Sequence, residues 1–71
     1  MKRIKVQSST IAEIGYDIES KVLEVQFVKG TIYRYDDFGV ISLCHLLFAD
    51  SIGSYFMKNV AKVYNYEKVE K

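Results

Sequence analysis

The 71-residue chain has no proline, no tryptophan, one cysteine and one histidine. A lone Cys44 excludes an internal disulfide, and small secreted domains usually carry several, so the expected compartment is the reducing cytoplasm. One Cys and one His cannot supply the four ligands of a structural zinc site, and neither a metal nor a cofactor is expected. No apolar run approaches the ~18 residues that a membrane span needs. The start, Met1-Lys2-Arg3-Ile4-Lys5, has a basic tip but no apolar stretch behind it, so it does not read as a signal peptide. Charge of one sign is scarce as well. Ten Lys and Arg against nine Asp and Glu leave a net +1, which sets up no global field for nucleic acid or a membrane surface.

What is present is apolar and aromatic: 49% hydrophobic residues, with six Tyr and four Phe. This length allows one domain with a small core, expected to span residues 1–71 with 1–5 and 68–71 frayed. The first half alternates as strands do, through Ile4 and Val6, then Ile14, Tyr16 and Ile18, then Leu23, Val25 and Phe27, then Tyr33 and Tyr35. The hairpin at Gly30 can be registered by elimination. A two-residue turn would set Val25 opposite Arg34 and mix charge into the dry face. A three-residue loop, Val28-Lys29-Gly30, with Gly30 left-handed in a bulge, instead pairs Val25 with Tyr33, Leu23 with Tyr35 and Glu24 with Arg34.

The second half has helical period. Val40, Leu43, Cys44 and Leu47 predict the inward stripe of a first helix, flanked by Ile41 and Phe48. Asp50 or Ser51 is a suitable N-cap for a second helix, whose inward stripe is Ile52, Phe56, Val60 and Val63. Leu46 and Met57 fall outside both stripes. Tyr64 and Tyr66 then alternate with Asn65 and Glu67 like a short strand. The expected fold is α+β: a small antiparallel sheet of three to four strands, then two consecutive helices packed on one face, then a short C-terminal strand. Its expected core is Ile14, Tyr16, Leu23, Val25, Phe27, Val40, Leu43, Cys44, Leu47, Ile52, Phe56 and Val60.

Taken together, Gly15-Tyr16-Asp17, Tyr33-Arg34-Tyr35 and Ser51-x-Gly53-x-Tyr55-Phe56 resemble the KTSC domain. This short module is named for the C-terminus of some lysyl-tRNA synthetases and also occurs as free-standing bacterial and phage proteins. Ser8-Ser9 and Tyr64-Asn65-Tyr66 extend the resemblance over nearly the whole chain. The sequence departs from the family at Phe38-Gly39, where Val-Pro is usual, and at Met57, where Asn is usual. The resemblance implies an RNA-binding role.

No catalytic constellation is found. Cys44 and His45 are neighbours about 100° apart on a helix, so they cannot form a nucleophile–base pair. Ser8, Ser9 and Thr10 lack a base, and Asp36 and Asp37 on adjacent positions point apart. The expected function is therefore a non-enzymatic binding module. The leading candidates for a phosphate or single-strand contact are Ser51, Tyr55, Lys58 and Lys62, at i, i+4, i+7 and i+11 of the second helix. Arg34 adds charge. Tyr33 and Tyr35 are expected to fill the core, whereas Tyr64 and Tyr66 fit either packing or an exposed stacking platform. The alternative function is protein docking, as a module or phage-type inhibitor that binds a host protein or sequesters a nucleotide ligand. A homodimer is a further option, with the exposed flank of either helix as its patch.

Overall fold

A computed structural model describes residues 3–69. The elements run β1 (Arg3–Lys5), β2 (Ile11–Asp17), β3 (Val22–Phe27), β4 (Ile32–Tyr35), α1 (Val40–Leu47), α2 (Ile52–Asn59) and β5 (Tyr66–Val69). The sheet has five antiparallel strands in the order β1-β2-β3-β4-β5, with both helices inserted before the last one. Three to four strands were expected, so the count is corrected at both ends. Arg3–Lys5, which the sequence places in a fraying tip, pair with Gly15–Glu13. Lys68 and Val69, also assigned to a frayed tail, pair with Tyr33 and Ile32; residues 1, 2, 70 and 71 lie outside the described residues.

The last strand starts later than Tyr64 because that residue still belongs to the helical layer. Its backbone N–H donates to the Val60 carbonyl, and its hydroxyl shares a 3.2 Å hydrogen bond with Ser42. Its ring meets Phe38 edge-on at 4.9 Å. Strand geometry begins at Tyr66, opposite Tyr35.

The β3–β4 hairpin has the bulged register: Leu23 with Tyr35, Glu24 with Arg34 and Val25 with Tyr33. Gly30 has φ +103°, a left-handed value that a β-branched residue resists. Its N–H donates to the Phe27 carbonyl, and the Phe27 N–H donates to Thr31.

The core lies between one sheet face and the helices. Ile11, Ile14, Leu23, Val25 and Tyr35 meet Phe38, Leu46, Phe56 and Val60. Ile11 and Ile14 both point inward, although three residues apart, because a register shift between Ile11 and Glu13 inserts an extra residue.

The phase of α1 is corrected. Val40 and Cys44, expected inside, are exposed, and Leu46, expected on the flank, is fully buried. The apolar residues of α1 fit two stripes, since Val40, Ile41, Leu43, Cys44, Leu46 and Leu47 leave only Ser42 and His45 polar. Packing chooses the stripe that includes Ser42, Leu43, Leu46 and Leu47, with Ser42 bonded to Tyr64. In α2 the stripe ends early: the helix stops at Asn59, and Val63 is exposed.

Candidate nucleic-acid interface

On the sheet face away from the helices, one row of residues crosses all five strands: Arg3, Gly15, Glu24, Arg34 and Glu67. Glu24 is buried at 5% exposure. It accepts from Arg3 Nε at 2.7 Å and from Arg34 Nη2 at 2.9 Å. Burial opposes the Glu24 charge, but the hydrogen bonds from Arg34 and Arg3 and their positive charges outweigh it, so the carboxyl sits below its ordinary pKa. Arg34 is thus held by a carboxylate on one face, while the candidate tyrosines and the helices occupy the other.

The α2 candidates separate in the same way. Ser51 is the N-cap of α2, and its Oγ accepts the Ser54 N–H at 3.3 Å. Tyr55 is half-buried against the core. Lys58 is exposed in the last helical turn, whereas Lys62 is exposed in the turn beyond the helix end. The four therefore do not form one continuous helical stripe. Tyr64 is half-buried and bonded to Ser42.

Tyr66 is different. It is 59% exposed and continues a series of rings along the helix-side face of the sheet. Phe56 meets Phe27 at 5.5 Å, Phe27 meets Tyr33 at 5.5 Å, and Tyr33 meets Tyr66 at 5.0 Å, each edge-on. Tyr35 closes the inner side, and burial, reinforced by Tyr33 and Tyr66, pushes its hydroxyl pKa up to about 12. Lys68 stands opposite Tyr33 in the register, so both project from this face.

Beside these rings lies an open groove of about 700 Å³ between the β3–β4 hairpin and α2. Phe27, Tyr33 and Met57 give it an apolar floor, Thr10 and Thr31 give it hydroxyls, and Lys29 stands at the hairpin end. No acidic residue lines it. Sequence reading missed Lys29, Thr31, Met57 and Lys68 as site residues. The hairpin register and the placement of Met57 outside the inward stripe were the available signals, but the groove exists only once hairpin and helix meet.

The α2 start is packed against the Ser8–Thr10 loop. Ser8 Oγ accepts the N–H groups of Thr10 and Ile11 at 3.1 and 3.2 Å. Gly53 leaves room for this, since a Cβ there would stand 3.1 Å from Ser8 Oγ and 3.4 Å from Thr10 Oγ1. Among the described residues, no group of three or more His, Cys, Asp or Glu is placed to hold a metal ion. No helix among them is long and apolar enough to cross a membrane.

A five-stranded meander with a helical pair inserted before its last strand defines a small α+β domain. Residues 7–64 match the KTSC domain, and the chain belongs to that family, a family of small non-catalytic domains. The crystal structure of a KTSC domain protein from Yersinia pestis superposes with a TM-score of 0.90 over 97% of both chains, at 30% identity. A protein of Stutzerimonas stutzeri (strain A1501), described only as uncharacterised, is 45% identical over 56 residues, 79% of each chain.

Proposed function

We propose that this chain binds single-stranded RNA or a nucleotide phosphate in the groove between the β3–β4 hairpin and α2. The observation that carries the reading is the ring series Phe27–Tyr33–Tyr66, which runs from the groove to an exposed tyrosine on β5, with Lys29 on the groove wall and Lys68 opposite Tyr33, two residues from Tyr66 on the same strand. An exposed ring offers a base about 1–3 kcal/mol of stacking without reading its identity. The lysines offer the flanking phosphates charge, and the threonine hydroxyls rotate to suit either donors or acceptors. Binding is accordingly weak and tolerant of sequence. The lone Cys44, which has no thiol partner in the chain, fits a cytoplasmic setting for this activity.

The test is fluorescence anisotropy with a short single-stranded RNA and with a nucleotide, at several salt concentrations. The two lysines in reach imply that log affinity falls with log salt by roughly 1–2. Lys29→Glu with Lys68→Glu should abolish binding, and Tyr66→Ala should weaken it by about 5- to 100-fold. If Lys58→Glu with Lys62→Glu removes binding instead, the contact lies along α2. Affinity that ignores salt, or all of these variants binding like the parent, would sink the nucleic-acid reading. Protein docking would then lead, and the observation that favours it is the apolar outer face of α1.

A further inference from the structure

A second cleft opens on the other flank of α2, between that helix and α1. It holds about 240 Å³, and Phe38, Ser42, Tyr55, Asn59, Val63 and Tyr64 line it. Tyr55 and Asn59 stand one turn apart on α2, while Met57, which lines the groove, projects from the opposite side of the helix. Among the described residues, none that lines the cleft is charged, and none lines the groove as well. Tyr55 and Tyr64 are rings that the sequence singles out and the groove leaves unused.

We infer that this cleft is a separate binding site for an uncharged planar heterocycle carrying both donors and acceptors, the chemical class of a nucleobase. The lining decides the charge. An ion entering it would lose water and meet no opposite charge, which disfavours ionic ligands. The polar groups decide the edge. The Ser42 and Tyr64 hydroxyls share one hydrogen bond at 3.2 Å. One O–H proton makes that bond, so a second O–H and spare lone pairs remain for a ligand. Asn59 Nδ2 donates to the Tyr55 carbonyl at 3.3 Å, and its amide keeps another N–H and the Oδ1 lone pairs. Such an amide donates and accepts side by side, as the edge of a base requires.

Shape selects a flat ligand. The Tyr64 ring meets Phe38 edge-on at 4.9 Å, which fixes one wall, and Tyr55 on α2 supplies another. The volume matches about eight waters, room for one base with its sugar left at the mouth. So few contacting atoms give a Kd on the order of millimolar. This site is independent of RNA binding in the groove, and the two differ in one measurable respect. An uncharged ligand releases no counterions, so its affinity ignores salt.

An NMR titration of the isotope-labelled chain tests this, with the phosphate-free nucleosides cytidine, uridine and adenosine taken to about 10 mM. At least one of them should shift the backbone amides of Ser42, Tyr55 and Tyr64, with the same affinity at about 50 and about 500 mM salt. Ribose alone should shift none. Asn59 is exposed, so Asn59→Leu should keep the parent's melting temperature while weakening binding by about fivefold or more. Tyr64→Phe, which keeps the ring and loses the hydroxyl, should weaken it too. Lys29→Glu with Lys68→Glu should leave it unchanged. Silence of these amides toward all three nucleosides overturns the inference. So does nucleoside binding that falls with salt, or that survives both Asn59→Leu and Tyr64→Phe, since either result places the base elsewhere. A failure of RNA to bind the groove bears only on the function proposed above.

Discussion

Arg3 and Glu24 sit two strands apart, yet Arg3 Nε donates to Glu24 Oε1 at 2.7 Å. The residue between them in the row is Gly15, paired with Arg3 on one side and Glu24 on the other. Its missing side chain lets the Arg3 guanidinium lie over β2 and reach a carboxylate on β3. Gly15→Val should therefore cost about 1–3 kcal/mol, the range for leaving a buried polar group without its partner. In that background Arg3→Ala should cost little more. A double-mutant cycle by urea denaturation measures both, and additive losses would separate Gly15 from the pair.

Glu24 also gives the fold an acid limit. Its folded pKa lies below the ordinary 4.5, so its stabilising contribution is complete above the unfolded value and fades as pH falls through the folded one. Glu24→Gln should lower the melting temperature near neutral pH, and the gap to wild type should narrow as the pH falls below the ordinary 4.5 and through the lowered folded value. Calorimetry across that range checks this. A gap that stayed constant would mean that the carboxylate charge contributes nothing.

At Gly53 the usual rule for helices should fail. Replacing a helical glycine by alanine commonly gains about 1 kcal/mol. Here the new Cβ meets Ser8 Oγ at 3.1 Å, and Ser8 cannot yield without releasing two backbone N–H groups. Gly53→Ala should be neutral or destabilising, and Gly53→Val worse by about 1–3 kcal/mol for overpacking. Denaturant midpoints decide, and a stabilised Gly53→Ala would show that the Ser8–Thr10 loop moves aside.

The phase of α1 predicts unequal truncations. Leu46 is fully buried and Val40 is 47% exposed. Leu46→Ala should cost about 2–5 kcal/mol, and Val40→Ala less than about 1 kcal/mol. Equal losses would restore the stripe that the apolar spacing alone suggests.

That contrast shows what a sequence of this kind makes legible. The hairpin register followed from turn chemistry plus the need to keep Arg34 off the dry face, and both are local. The α1 phase did not follow, because its apolar residues satisfy two stripes and only Phe38, Ser42 and Tyr64 decide between them. Ile11 escaped alternation because an inserted residue breaks the period two. Tyr66 is legible as a candidate ring, but the groove that brings Lys29, Tyr33 and Met57 together forms only through tertiary contact.

The charged row has a consequence for how the strands find one another. A slip of one residue would turn every side chain over, and the dry face forbids it. A slip of two keeps each residue on its proper face, so apolar patterning is blind to it. Glu24 is not. Shifted by two against β2 it would face Glu13 in one direction and Asp17 in the other, a carboxylate either way. Shifted by two against β4 it would trade Arg34 for Ile32 or Asp36. Only the native alignment gives this buried charge two guanidinium partners, so the row acts as a proofreader for the one error that hydrophobicity cannot detect.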